Sequence, residues 1–541
     1  MKKLYLLFFV IIAACSSCQK KFLTRDNPTG TTDAKWWDTD AQLLANLSTI
    51  YSAIPAGMFD YTPNTFMAFS ALTDDAIWNA NYFGEINAIA QGNAAPDMPQ
   101  ENWGVITNAI QPLWTWDFGC IRRANRFLKF AGGAYDDPAL IKRYMLEARA
   151  LRAWCFLDLF LYYGDVPLVT TVVSPETPLK RSTTQEIIDF VTSEFDTCAA
   201  GLPVSYPATS DKYRMTKGAC LTLKAWAFLN AGMYDQAAAA AKQVIDMGVY
   251  KLYYNATDSA ESYFDLFQYA GSGNQEAILL TPTNHECYGR NAPAGVGGGS
   301  NLNPTASLVN AYETMQGKTL AELGTDSTKI YEEYPNYKNN RDPRLEASIL
   351  YPGETFEGSV LAPFNSDPSN PNRLGAQNST RTGYWIRKYV DPQDAGHPFG
   401  SNLDFMLFRY AGVLLMYVEA QVENGHWNDP LVLKYLNEIR HRAGMPDVNI
   451  AEYNSQEKMR ELYRRERRIE LAFEGSRLFD MRRWKIGDQV MNGEVKGATD
   501  PATGQTIVVG SRHFNPARDY VWPIPIGEMQ GNPDMVQNPG Y

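Results

Sequence analysis

Apolar residues recur at helical spacing in several long stretches of the chain. Within residues 40–53, the apolar side chains fall on one face of a helix: Leu43, Leu44, Leu47, Ile50 and Tyr51. The same period predicts helices over about 105–131, 139–163, 183–200 and 216–230. The pattern therefore predicts a mostly all-α chain.

Two segments have the pattern of paired antiparallel helices. Residues 216–248 match a tetratricopeptide repeat loosely, through Ala225, Trp226, Leu229, Gly232, Tyr234, Ala237 and Ala241. Small alanines let two helices approach closely, and Gly232 ends the first helix. A second hairpin is predicted over 406–443, with its turn at 425–430. A generic helical hairpin would explain either segment, and on these two partial matches alone it is as good an interpretation as a tetratricopeptide-like scaffold.

Residues 249–400 differ from the helical segments. They are rich in Gly, Pro, Asn, Asp and Tyr, and the run AGVGGGS at 294–300 predicts a flexible loop. Residues 74–104 also read as a loop. We expect one domain over 33–541 with a loop-rich insertion at 249–400. Because long loops on rigid scaffolds usually carry binding function, we expect the binding site in these loops.

The charge pattern argues against a nucleic-acid-binding protein. The 541 residues contain 49 Lys and Arg against 60 Asp and Glu, a formal net charge of -11, whereas nucleic-acid affinity comes mainly from cationic contacts to phosphates. The arginine-rich run at 460–484 is interleaved with acids. Glu461 and Arg465 are spaced i,i+4, and Glu474 and Arg477 i,i+3, so we predict a structural helix of ion pairs.

The N-terminus has the form of a lipoprotein signal. Two lysines precede an apolar run at 4–12, which is shorter than the roughly 20 residues of a membrane span. The run ends in IAAC at Cys15, the form of a lipobox, and Cys18 is the second candidate for acylation. We expect a signal peptide over 1–14, or 1–17 if Cys18 is acylated, and a tether over 15–32. A plain secretory signal is the alternative.

No arrangement of residues predicts catalysis or a metal centre. The sequence lacks GxSxG and HExxH motifs, and the pair Asp74-Asp75 more often orients backbone amides or binds a cation. The remaining cysteines form no CxxC motif, so we interpret them as buried thiols: Cys120, Cys155, Cys198, Cys220 and Cys287. We predict no cofactor, while a structural calcium held by loop oxygens stays open.

Aromatic residues in the polar loops are the candidates for ligand binding. Flat rings cover the C–H face of a sugar, and neighbouring amides or guanidiniums bond its hydroxyls. We predict a site where the 74–104 and 284–300 loops meet, with stacking by Trp78 and Tyr82 and hydrogen bonds from Asn81, Tyr288 and Arg290. Packing of these rings onto the scaffold is the competing interpretation. Trp385, beside Tyr384, is the next candidate.

Several segments then match family signatures in order along the chain: CQKKFL from Cys18, IRRANRFL from Ile121, EARALRAW from Glu147, GDVPLV from Gly164, FRYAGVLLMYVEA from Phe408, LNEIRHRAG from Leu436, ERRIELAFEGSR from Glu466, WPIP from Trp522 and QNPGY from Gln537. Together they resemble the RagB/SusD family of nutrient-binding outer-membrane lipoproteins. The resemblance covers nearly the whole chain. The basic residues after Cys18 depart from the acidic run that often accompanies surface export.

The resemblance implies a SusD-like fold, with tetratricopeptide-like hairpins and long irregular loops, and no enzymatic activity. It implies a lipid anchor in the outer membrane, facing the exterior, and oligosaccharide capture for a SusC-like TonB-dependent transporter, with the protein as its lid. A peptide-binding member of the family and a tetratricopeptide-like protein-interaction scaffold are the alternatives. The family's ligand residues lie in variable loops, so the five loop candidates rest on chemistry alone.

Overall fold

The computed structural model describes residues 36–37, 39–52, 67–79, 84–98, 110–131, 137–174, 177–208, 211–282, 286–324, 328–332 and 334–541. The lipidation candidates Cys15 and Cys18, and the ligand candidates Asn81 and Tyr82, lie outside these residues.

Helices dominate the described chain. In chain order they are α1 Asp40–Tyr51, α2 Gly84–Ala90, α3 Ile110–Phe130, α4 Pro138–Tyr163, α5 Thr184–Gly201, α6 Lys217–Asn230, α7 Tyr234–Asp246, α8 Ser262–Asp265, α9 Cys287–Asn291, α10 Ala306–Ala311, α11 Leu320–Leu323, α12 Pro343–Ser348, α13 Tyr410–Glu423, α14 Pro430–Arg442, α15 Gln456–Glu470, α16 Ser476–Arg483, α17 Gly487–Val490 and α18 Ile526–Gly531. The predicted all-α class is confirmed.

Both predicted hairpins are present. Helices α6 and α7 form the first, and α13 and α14 form the second. The side chain of Thr216 caps α6 by accepting a hydrogen bond from the Ala219 amide at 3.1 Å. Helix α7 buries alanines, among them Ala237 and Ala241, and packs against both α6 and α13. The small side chains therefore bring the two hairpins into one scaffold.

The strands are short and pair in antiparallel twos. They are β1 Ala76–Trp78 with β3 Leu302–Pro304, β2 Ala277–Pro282 with β8 Asp404–Arg409, β4 Ile349–Leu350 with β7 Trp385–Ile386, β5 Thr355–Phe356 with β6 Ser359–Val360, and β9 Gly493–Thr499 with β10 Thr506–Arg512. Most join distant parts of the loop-rich region to each other or to the scaffold, so this region is ordered by pairing and not by helical period.

The arginine-rich run forms two helices and not one. Helix α15 ends at Glu470, and α16 starts after Gly475, whose φ of 80° is left-handed and suits glycine. The ion pairs are also longer in range than the sequence spacing predicts. Arg465 Nη2 lies 2.6 Å from Glu313 Oε1, and Arg477 Nε lies 2.8 Å from Asp74 Oδ1. The helices are thus tied to the loop-rich region by charge.

The buried apolar residues form one continuous core under the scaffold and the loops. The five cysteines predicted as buried thiols are buried and unpaired by disulfides: Cys120, Cys155, Cys198, Cys220 and Cys287. In the described part of the chain, no helix is long and apolar enough to span a membrane.

Candidate functional site

The two loop regions predicted to form the site do adjoin. Strand β1 from the first pairs with β3, which directly follows the second. Beyond the ladder, the Asn79 amide donates to the Asn301 carbonyl at 2.7 Å, and the Asn79 side chain donates to the Ser300 carbonyl at 3.0 Å. The meeting of the regions therefore rests on backbone pairing.

Trp78 is not an exposed ring on this surface. It ends the fully buried strand β1, and its side chain is 0% exposed. Its backbone exchanges hydrogen bonds with the Asn87 side chain. The expectation that rings in this loop escape burial is wrong for Trp78, because a strand pairing of 3 residues carries the ring into the core. A sugar cannot stack on Trp78 in this conformation.

Tyr288 is also buried, and its hydroxyl bonds to an exposed carboxylate. It lies in the short helix α9, is 1% exposed overall, and donates a hydrogen bond to the exposed carboxylate of Glu357. Burial and then the bond to Glu357 raise the pKa of the Tyr288 phenol well above its usual value. The phenol therefore stays protonated at neutral pH and serves as a donor.

Arg290 keeps part of its side chain at the surface. Its Nη2 lies 2.7 Å from Glu286 Oε2, and the two side chains are 22% and 21% exposed. The pair stands one helical turn apart on α9. A ligand hydroxyl can therefore meet both a donor and an acceptor here.

The glycine-rich run at 294–300 is compact, contrary to the expectation of a flexible loop. The Gly299 amide donates to the Gly289 carbonyl at 2.9 Å, and the Asn301 amide donates to the Arg290 carbonyl at 2.9 Å. A Cβ at Gly298 would overlap the Ala292 carbonyl. The glycines serve close backbone packing, so this loop holds Arg290 in a fixed position.

Phe399 is an exposed ring on this surface that the sequence analysis missed. It is 56% exposed, and a Cβ at Gly289 would lie 2.6 Å from its ring. The segment HPFG gives no periodic signal, and only the absence of Cβ at Gly289 lets the ring settle there. We call the surface formed by Glu286, Arg290 and Phe399 the α9 face.

The other candidates are structural. Trp385 is 0% exposed and donates through Nε1 to Ser300 Oγ at 3.1 Å, and Tyr384 is 3% exposed. Asp74 and Asp75 are buried and paired with Arg468 and Arg477. Burial alone would raise the pKa of Asp74, but these arginines hold it well below its usual range. The pair thus fastens β1 to the arginine helices.

The described residues contain no group of three or more His, Cys, Asp or Glu side chains arranged to hold a metal ion.

A family model for the SusD family matches residues 256–541, more than half of the chain. The chain belongs to the SusD family.

Similar proteins agree over the full length. SusD-like protein P38 of Formosa agariphila is 24% identical over 575 aligned positions, which cover 100% of this chain and 99% of that protein. The crystal structure of a SusD-like carbohydrate-binding protein from Bacteroides fragilis superposes with a TM-score of 0.80 at 27% identity, covering 93% of this chain and 100% of that one. A second SusD-like protein of the same organism gives a TM-score of 0.78 at 24% identity and supports the fold alone.

Proposed function

We propose that the protein is a cell-surface glycan-binding lipoprotein that captures oligosaccharide on the α9 face and delivers it to a TonB-dependent transporter as its lid. The observation that carries glycan binding is the likeness to the Bacteroides fragilis carbohydrate-binding protein, at 27% identity and a TM-score of 0.80. We also propose binding without cleavage. The adjacent carboxylates Asp74 and Asp75, the best local candidates for catalysis, are held in ion pairs with Arg477 and Arg468.

The chemistry of the α9 face supports a sugar ligand. Phe399 offers a ring to the C–H face of a sugar, while Arg290 donates and Glu286 accepts. One stacked ring contributes about 0.5–1.5 kcal/mol, and each retained hydrogen bond about 0.5–1.5 kcal/mol. A few such contacts give affinities from about millimolar to micromolar, suited to a receptor that must release its cargo.

Two candidates remain part of the proposal although they lie outside the described residues. Asn81 and Tyr82 follow Asn79 by two and three positions, and Asn79 is hydrogen-bonded to residues 300 and 301. The chain therefore leaves β1 beside the loop that carries Arg290. We keep a hydrogen bond from Asn81 and stacking by Tyr82 as predictions.

Affinity electrophoresis tests the binding function. Wild-type protein is run through gels containing laminarin, starch, inulin or polygalacturonate, beside Phe399→Ala and Arg290→Ala. The matched control is Ile450→Ala, which removes an apolar side chain that is 62% exposed away from the α9 face. We expect retardation by at least one glycan, lost in both site variants and kept in the control. Retardation by none, with capture of a peptide library instead, would favour the peptide-binding alternative.

Anchoring and partnership need separate measurements. Mass spectrometry of the mature N-terminus should find acylation at Cys15 or Cys18; an unacylated protein in the medium would contradict the anchor. Purification in mild detergent should recover a SusC-like transporter with the protein. Recovery of a different protein with no transporter would favour the interaction-scaffold alternative.

A further inference from the structure

Tyr334 presents an exposed ring outside the α9 face. It is 44% exposed. Its inner side lies against the backbone of Gly353, where an added Cβ would lie 2.7 Å from Tyr334 Cβ and 2.9 Å from Cγ. Gly353 also has a φ of 88°, which strains any other residue. The glycine thus supports the tyrosine from below and leaves its outer side to solvent.

A chain of buried tyrosines fixes this ring from the inside. The Tyr351 ring lies 6.3 Å from that of Tyr334, and the Tyr337 ring stacks on Tyr351 at 5.1 Å with an interplanar angle of 29°. Tyr384 meets Tyr337 edge-on at 6.0 Å. All three are at most 3% exposed. Tyr334 is therefore positioned before any ligand arrives, which lowers the entropy lost on binding.

Charged side chains lie beside the pair of rings formed by Tyr334 and Tyr351. Lys338, one turn after Tyr334, pairs with Glu346. Arg387 Nη1 lies 3.5 Å from Glu354 Oε1 and 3.9 Å from Glu346 Oε1. The Lys338 and Arg387 side chains are 29% and 24% exposed. These groups offer donors and acceptors at the edge of one flat ring.

Tyr351, the ring next to Tyr334, carries an unused hydrogen-bonding group. The Tyr351 hydroxyl is buried and has no hydrogen-bond partner among the described residues. It lies close enough to Glu354, Glu346 and Arg387 for their charges to act on it. Buried polar groups in native proteins are nearly always bonded. A hydroxyl group entering beside Tyr334 would supply the missing partner after a small side-chain movement.

We propose that the outer side of Tyr334, with Lys338, Glu346 and Arg387 near it, is a second saccharide-binding platform, distinct from the α9 face. A sugar ring matches both features, because its C–H face covers an aromatic ring while its hydroxyls both donate and accept. A protein partner would need a wider apolar surface than one ring. The choice of saccharide rests on the proposed function, whereas the site itself rests on the ring, its glycine support and the unpaired hydroxyl.

The test compares Tyr334→Ala with Tyr254→Ala by affinity electrophoresis in laminarin, starch, inulin and polygalacturonate gels. Tyr254 is a matched control, since it is 50% exposed and lies outside the platform. We expect Tyr334→Ala to weaken binding of the retarding polysaccharide about fivefold, the effect of one lost stacking contact. Tyr334→Phe should keep most of the affinity, because the ring and not its hydroxyl makes the stack. Melting temperatures establish that every variant folds.

The outcomes separate the platform from the main function. If Phe399→Ala weakens binding and Tyr334→Ala behaves like Tyr254→Ala, the α9 face stands and the platform is wrong. If Tyr334→Ala weakens binding and Phe399→Ala does not, the platform is the principal site and the α9 face is wrong. If the wild-type protein binds no glycan and Tyr334→Ala loses only a protein partner, both saccharide assignments fall.

Discussion

Arg409 Nη1 lies 2.6 Å from Glu470 Oε1 in the interior, and neither side chain is more than 1% exposed. Glu470 also meets Arg344 Nη1 at 3.0 Å and pairs with Arg442. The three guanidiniums come from β8, α12 and α14, while Glu470 ends α15. A single carboxylate thus joins the second hairpin to the loop-rich region.

Replacing this carboxylate should be costly. Burial alone would raise the pKa of Glu470, but Arg442, Arg409 and Arg344 hold it well below its usual range, so the group is ionised. Glu470→Gln removes a carboxylate shared by three buried guanidiniums, each of which keeps another acidic partner. We expect the free energy of unfolding to fall by about 3 kcal/mol, the lower end of the cost of breaking a buried pair. Urea denaturation measures the change. Glu461→Gln on the exposed side of the same helix should shift stability by less than about 0.5 kcal/mol; equal effects would contradict the role of the buried cluster.

Glu354 should make the free energy of unfolding fall as pH rises, whereas a carboxylate in an ordinary ion pair makes it rise. Burial, only partly offset by Arg387 and reinforced by Glu346, raises its pKa from 4.5 to about 7. Because the folded state holds the proton more tightly, this stabilisation is complete below pH 4.5 and is lost as pH rises towards 7. The change is on the order of 3 kcal/mol. Glu354→Gln should therefore be more stable than wild type at pH 8 and nearly equal at pH 4.5.

Denaturation midpoints at the two pH values decide this prediction. Glu494→Gln is the control, because its carboxylate lies on β9 with a side chain that is 61% exposed. It should follow the wild-type pH profile. A Glu354→Gln profile parallel to wild type would show that Glu354 titrates at its ordinary pKa in the folded protein.

Trp78 should prove to be a core residue when truncated. Its indole is fully buried in β1, and removing such a side chain leaves a cavity that costs about 3–5 kcal/mol. Trp78→Ala should therefore lower the melting temperature strongly. Trp36→Ala, which removes an indole that is 39% exposed, should lower it much less. Similar melting temperatures for the two variants would return Trp78 to the ligand candidates.

The contrast between helices and loops explains which expectations succeeded. Helices α6 and α7 were predictable because a 3.6-residue period over a dozen or more residues is readable in one sequence. Strand β1 spans only 3 residues, and its partner β3 lies more than 200 positions away. No local sequence pattern predicts such pairing, so the burial of Trp78 could not be predicted from the sequence. The predicted local ion pairing was wrong for the same reason, since Arg477 pairs with the distant Asp74 and not with Glu474, three positions before it.

The function of the glycine-rich run at 294–300 depends on close packing and not on flexibility. At Gly298, a Cβ would overlap the Ala292 carbonyl, and no distant flexible side chain can move to make room. Gly298→Ala should displace the loop that holds Arg290 through the bond from Asn301, at a cost of about 1–3 kcal/mol. Glycan retardation should weaken with it. Gly396→Ala, where an added Cβ meets nothing within 4 Å, should bind and melt as wild type. Hydrogen exchange at residues 286–301 reports the displacement directly, and unchanged exchange with unchanged binding in Gly298→Ala would show that the α9 face does not need this loop to be rigid.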